Sequence, residues 1–126
     1  MTVCNIKEKR LRALLKEFCK ETAEGDWIIP LNPTNIEFEF TDLYRNDESM
    51  LFGDVIYFDP DHEAKHLFPY LVKELWLIKQ KREHRLRYWL CRILNLQKIY
   101  QEAEEKETIA YEWLLRKNKK NKQKEV

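Results

Sequence analysis

The stretch "NIEFEFTDLY", residues 35–44, alternates apolar and polar side chains along its length. Successive side chains of a β-strand point to opposite faces, so Ile36, Phe38 and Phe40 share one face and the glutamates between them share the other. This pattern predicts a strand with one face in a hydrophobic core and one face in water.

A second apolar stretch, "MLFGDVIYFDP" at residues 50–60, follows a polar link and also predicts a strand. Gly53 lies inside it, at a place where glycine can mark a bulge. Two strands joined by a short link most simply form an antiparallel hairpin. Upstream, residues 27–33, "WIIPLNP", contain two prolines and predict an edge strand or an extended connector.

Helical patterns flank these strands. Apolar residues in the stretch 5–24 repeat at the spacing of one helix face, and Gly25 is placed to stop that helix in a left-handed conformation. After the strands, Asp59 can cap a helix that starts at Pro60, and the helical pattern continues towards the C-terminus.

One helix over this whole C-terminal region would be about 85 Å long at about 1.5 Å per residue, which is too long for so small a domain. The polar runs at residues 79–85 and 102–108 are the expected breaks. Between and after them, the apolar residues still recur at helical spacing.

These patterns predict an α+β fold of one domain. An N-terminal helix, a small antiparallel sheet of a hairpin or three strands, and a long broken C-terminal helical arm occupy residues 1–117. Residues 118–126 lack an apolar pattern and are expected to form a basic disordered tail. A signal-peptide pattern and a membrane-spanning run are not found, so a cytoplasmic protein is expected, with no membrane partner.

Charge is distributed unevenly along the chain, although the net charge is only +1. Residues 26–63 contain ten acids and one base, whereas residues 64–100 contain nine bases and two acids. The two blocks can pair inside the fold or present separate binding faces. Of the three cysteines, Cys19 and Cys91 are predicted to be core residues, because no closely spaced cysteine pair suggests a metal or redox site.

The basic block interleaves cations with aromatic residues and predicts a surface that contacts phosphates. The expected partner is nucleic acid or a nucleoprotein complex, bound by Lys79, Lys81, Arg82, Arg85, Tyr88 and Arg92. The alternative is that these bases pair with Glu37 and Glu39 on the strand. Leu86, Trp89, Ile93 and Leu96 form an apolar stripe on another face of the same segment.

The acidic block favours a second kind of binding protein, an inhibitor or adaptor that recognises a basic protein partner. Its candidate contact residues are Asp42, Asp47, Glu48 and Asp54, which fall at or near predicted loop ends.

The stretch "PDHEAKH", residues 60–66, places two histidines and a glutamate in the H-E-x-x-H spacing of zinc peptidases. A metal-dependent hydrolase is therefore a further alternative. Against it, Pro69 would interrupt the helix, and Glu74 lies about 12 Å farther along it, so a third ligand could come only from the strands. We therefore predict a binding protein rather than an enzyme, with no catalytic residue, no metal ligand, no zinc and no cofactor.

Overall fold

The computed structural model describes residues 3–43, 48–94 and 98–124. The helices and strands are α1 (Val3–Glu21), α2 (Gly25–Ile28), β1 (Glu37–Phe40), β2 (Ser49–Phe52), β3 (Val55–Phe58), α3 (Ala64–Glu83), α4 (Arg85–Ile93) and α5 (Lys98–Lys124). Two 3-10 turns, Ile29–Leu31 and Pro33–Asn35, join α2 to β1. The predicted α+β class, with its N-terminal helix, small sheet and helical C-terminal part, is confirmed.

Helix α3 is the central element of the fold. It packs against α1, α4, α5 and the sheet, and it is apolar on more than one side, as expected of a helix that several elements cover. Its fully buried side chains include Leu67, Phe68, Leu71, Val72, Leu75 and Ile78.

Three aromatic rings join the three long helices at the centre of the core. The Phe18 ring of α1 lies 5.5 Å from Phe68 of α3 and 5.2 Å from Trp113 of α5, measured between ring centroids. Phe68 and Trp113 are 5.6 Å apart. Both contacts of Phe18 are edge-to-face, an arrangement that aromatic pairs favour because ring edges carry positive and ring faces negative partial charge.

The sheet has the order β1-β3-β2, and only part of its predicted pairing is correct. The stretch 50–60 is itself a hairpin: β2 and β3 are antiparallel and turn at Gly53, whose φ is +63°. Glycine takes this conformation without strain, as a two-residue hairpin turn requires. β1 therefore pairs with β3 in parallel, with Glu37 opposite Val55, and not in the antiparallel hairpin predicted.

The alternation in β1 is confirmed, because Phe38 is buried and both neighbouring glutamates are exposed. Arg12 of α1 holds the start of this strand in place. Its guanidinium lies 4.1 Å from the centre of the Phe38 ring and donates to the carbonyls of Pro33 and Ile36 at 2.8 and 2.7 Å.

The connector before β1 is helical, so the predicted edge strand or extended connector at residues 27–33 is wrong. The chain makes α2 and two 3-10 turns, and only Asn32 between the two turns is left-handed, with φ +58°. Gly25 does not stop α1 in a left-handed conformation; it begins α2. A Cβ at this position would lie 2.5 Å from the Cys19 carbonyl oxygen, which explains the glycine by close backbone approach.

The C-terminal helical region breaks at one of the two predicted places. α3 ends at Glu83 and α4 begins at Arg85, which confirms a break within residues 79–85. The predicted break at 102–108 is wrong, because Ala103 and Ala110 are buried on one continuous face of α5, and the charged residues between them are exposed or half-buried.

The start of α3 and the end of α5 also differ from expectation. α3 begins at Ala64 rather than Pro60, and it continues through Pro69. α5 stays helical to Lys124, within the segment predicted to be disordered; lysine and glutamine are good helix formers and extend a helix that packing has already started.

No helix in the described ranges combines the length and apolar character needed to cross a bilayer.

We expect Phe18→Ala to destabilise the protein by about 3–5 kcal/mol, because the ring is fully buried and contacts two other helices. Chemical denaturation followed by circular dichroism measures this change. Ile29→Ala is the control, since Ile29 is 64% exposed and its loss should change stability by less than about 0.5 kcal/mol. Equal effects of the two substitutions would contradict the assigned core.

Glu74 is an ionisable residue buried inside this core, and the shift of its pKa predicts that stability depends on pH. Removal from water raises its pKa, although Lys73 and a hydrogen bond from Ser49 act in the opposite direction. A carboxyl with a raised pKa in the folded state favours folding while protonated, so its contribution is present below the ordinary glutamate pKa and is lost as the pH rises.

We therefore expect Glu74→Gln to raise the melting temperature at pH 7 relative to the native chain and to leave it nearly unchanged below the ordinary glutamate pKa. Thermal unfolding of both proteins across pH 3.5–8, values chosen to span about that pKa, measures the difference. A difference that stays constant over the range would show that ionisation of Glu74 does not affect folding.

Candidate functional site

Helix α4 is attached to the rest of the protein along one side. Cys91 is buried there against a small second core of Leu77, Ile99 and Ala103, and Tyr88 packs on the same cluster. The location predicted for Cys91 is thus confirmed. Arg87 adds polar contacts to both neighbouring helices: it donates to Glu102 of α5 at 2.8 Å and to Gln80 of α3 at 3.3 Å. These contacts orient the opposite side of α4 towards solvent.

The solvent-facing side of α4 and its C-terminal end is apolar. We call this surface the apolar face of α4, and it consists of Leu86, Trp89, Leu90, Ile93 and Leu94. Leu86 is 69% exposed, and Trp89 and Ile93 are each 57% exposed. The stripe predicted on this segment is therefore exposed to solvent at these three residues, while its fourth member, Leu96, lies outside the described residues. The core-facing side is instead supplied by Tyr88 and Cys91.

Three of the predicted phosphate-binding residues have partners within the protein. Lys79 pairs with Glu83 one helical turn away. Lys81 donates to the Gly53 carbonyl at 3.1 Å, and Arg82 donates to the Leu31 carbonyl at 2.9 Å. These contacts fasten the end of α3 to the β2–β3 turn and to the 3-10 connector, so they serve the fold.

The remaining predicted phosphate-binding residues belong to α4. Arg85 is exposed, and among the described residues it has no hydrogen bond or ion pair. Together with Lys81, Leu86, Tyr88 and Trp89 it lines an open surface depression. Arg92 also lies in α4, although its side chain is outside the described part of the structure.

Pairing of the basic segment with Glu37 and Glu39 is not seen among the described contacts. The two glutamates are exposed side by side, and the pKa of Glu39 is raised by a hydrogen bond with Glu37 and by the negative charge of Glu37. Lys81 instead links the basic segment to the turn between β2 and β3. It donates to the Gly53 carbonyl and lies 4.0 Å from Asp54.

The predicted acidic contact residues lie at opposite ends of the sheet. Asp54 is in the β2–β3 turn, whereas Glu48 precedes β2 and Asp42 follows β1 at the other end. At that end, Asp42 has carboxylate oxygens within 4.8 Å of those of Asp59 and Asp61. Asp47 lies outside the described residues.

A cluster of two histidines and a glutamate occupies the same end of the sheet as Asp42. Ligand atoms of Glu48, His62 and His66 lie within 4.8 Å of one another. The two imidazole rings stack, with centroids 4.5 Å apart. The helical geometry of a zinc peptidase is nevertheless absent from this motif, because His62 lies in the turn before α3 and Glu63 occupies the N-cap position in an extended conformation.

Glu48 is the member of this cluster that sequence reasoning missed as a possible ligand. It is brought to the histidines by the sheet: the backbone N–H of Asp59, after β3, donates to the Glu48 carbonyl at 3.1 Å. The spacing of the H-E-x-x-H motif does not indicate that Glu48 lies close to the histidines, because that proximity depends on how β2 and β3 pair.

The chain matches no protein-family model, no curated protein and no solved structure.

The different environments of the two arginines lead to a prediction about stability. We expect Arg82→Ala to destabilise the protein by about 0.5–1.5 kcal/mol, because it removes the hydrogen bond to the Leu31 carbonyl. Arg85→Ala, at an exposed position without a described partner, should change stability by less than about 0.5 kcal/mol. Denaturant titrations of the two variants measure the difference, and a reversed order would contradict the contacts described.

Proposed function

We propose that this chain acts by binding rather than by catalysis, and that it binds a protein partner through the apolar face of α4. The single observation that carries this proposal is the exposure of large apolar side chains on a helix whose other side is anchored. The partner that fits this surface is an amphipathic segment with acidic residues beside its apolar side.

The apolar face supplies the main argument. Single exposed apolar residues are ordinary, but a contiguous group of them on a folded domain is typical of an interaction site. Trp89 lies in this group next to Leu86 and Ile93, and tryptophan and arginine are the residues that most often dominate binding energy at protein interfaces. Burying these side chains against a partner would return them to an apolar environment.

The charges beside this face support an acidic partner. Arg85 lines the depression next to Trp89 and retains its capacity for a bidentate contact with a carboxylate, whereas Lys81, on the same depression, already donates to the Gly53 carbonyl. Complementary charges at the rim of an interface increase the rate and specificity of association more than the affinity.

The prediction of nucleic acid as the partner stays a prediction, and the contacts give it less support than a protein partner. Lys79, Lys81 and Arg82 already have partners within the fold. Aliphatic side chains such as Leu86 and Ile93 gain little from a phosphate backbone, whereas Trp89 and Arg85 could contact single-stranded bases and phosphates. The alternative of an acidic inhibitor or adaptor also has less support, because its candidate residues Asp54 and Asp42 lie at opposite ends of the sheet.

Site-specific photocrosslinking in the native cell tests this proposal. A photoreactive phenylalanine analogue at Leu86 should crosslink to a protein, and the adduct should map to an amphipathic segment with acidic residues. The matched control is the same analogue at Ile29, an exposed apolar position away from α4, which should not give that adduct. Arg85→Glu in the Leu86-labelled chain should reduce the yield several-fold.

Three results would overturn the protein-partner proposal: nucleic-acid adducts only, adducts only with a second copy of this chain, or identical protein adducts from both positions. Far-UV circular dichroism of each labelled chain ensures that the comparison is between folded proteins.

A separate measurement of direct nucleic-acid binding distinguishes a nucleic-acid partner from a protein partner, because the two hypotheses predict opposite results. If phosphates are the partner, single- or double-stranded oligonucleotides should bind at low salt, and each neutralised phosphate should contribute about 0.7–0.9 to the slope of log affinity against log salt. Our proposal expects no measurable binding in fluorescence anisotropy at low salt. Binding that falls steeply with salt and weakens on Arg85→Glu would favour nucleic acid instead.

A further inference from the structure

Glu48, His62 and His66 form a second site, separate from the apolar face of α4. They come from three different parts of the chain: the residue before β2, the turn between β3 and α3, and the first turn of α3. None of the three is fully buried, so an ion from solvent can reach them. Their ligand atoms lie within 4.8 Å of one another.

Two imidazoles and one carboxylate are a donor set that suits zinc and related divalent transition metals. Zinc binds such nitrogen and oxygen ligands at about 2.0–2.2 Å, which places tetrahedral ligands about 3.3–3.5 Å apart. The present separations, at most 4.8 Å, would therefore have to shorten by up to about 1.5 Å on metal binding. Three protein ligands leave a coordination position for water.

Neighbouring groups are present that could orient these ligands. Asp59 Oδ2 lies 3.9 Å from His62 Nε2, and metal-ligating histidines usually donate their other N–H to such a carboxylate. On the other side, Tyr70 lies near Glu48, and the pKa of Tyr70 is raised by burial and by the negative charges of Glu48 and Glu107. The Tyr70 ring also contacts His66, with centroids 5.8 Å apart.

We propose that Glu48, His62 and His66 bind one divalent transition-metal ion, of which zinc fits the donor set best. The prediction of no zinc rested on a missing third ligand and on Pro69. Glu48 lies where it can supply that ligand, and α3 continues through Pro69. The ion would join the start of β2 to the start of α3, so it would stabilise this end of the sheet against the central helix. Magnesium and calcium should bind poorly, because they prefer all-oxygen ligands.

Isothermal titration calorimetry of chelator-treated protein with zinc chloride tests the site. We expect one zinc per chain, and we expect His62→Ala, His66→Ala and Glu48→Gln each to weaken binding by more than about 100-fold. Asp59→Asn, which alters only an orienting group, should weaken it by about 10–100-fold.

His84→Ala is the matched control, because His84 is also an exposed histidine but lies at the other end of α3, about 27 Å along the helix from His66. This variant should bind zinc as the native chain does. Thermal unfolding gives a second readout: zinc at about one hundred times its Kd should raise the melting temperature by several degrees in the native chain and in His84→Ala only.

Circular dichroism of the metal-free variants establishes that the substitutions leave the fold intact, as expected for side chains outside the core. Absence of zinc binding to the native chain would overturn the proposal. Binding that survives Glu48→Gln unchanged, or that is lost equally in His84→Ala, would show that these three residues are not its ligands.

Discussion

The burial of α3 on several sides is the constraint on which the rest of the structure depends. A helix with Leu67, Phe68, Leu71, Leu75 and Ile78 all removed from water must be covered by more than one neighbour. α1 and α5 provide part of that cover, and the rings of Phe18 in α1 and Trp113 in α5 both contact the Phe68 ring of α3. The sheet and α4 cover the remainder. The histidine cluster and the apolar face of α4 are therefore placed by opposite ends of the same helix.

Local periodicity in the sequence was sufficient to predict the α+β class and the types of the long elements, because alternation at Phe38 and helical spacing around Leu71 reflect burial directly. It did not predict the helical connector at residues 27–33. The parallel pairing of β1 with β3 could not be predicted in this way, since it depends on a turn at Gly53 within what reads as one strand. Gly25 shows a related limit. A side chain at this position would clash with the Cys19 carbonyl, and the two groups approach each other only after the chain folds back.

The sequence predicts most of the residues that form the candidate sites, but not how those residues are arranged in space. The apolar stripe containing Leu86 and Trp89 is visible in the sequence, yet periodicity alone cannot distinguish a stripe that faces the core from one that faces solvent. The histidines were visible through their spacing, but Glu48 is joined to them only by hairpin pairing. Basic residues gave the least reliable signal, because Lys81 and Arg82 can bind backbone carbonyls as well as phosphates.

The small second core beneath α4 has a consequence for motion. Leu77, Cys91, Ile99 and Ala103 form a cluster distinct from the large core that contains Phe18 and Phe68. Segments held by few buried side chains can open locally without global unfolding. Amide protons of α4 should thus exchange with solvent by a lower-energy route than those of α3, and α4 can adjust its orientation while the three-helix core stays folded. The binding surface proposed on α4 would then be able to adapt to a partner at little cost to the stability of the domain.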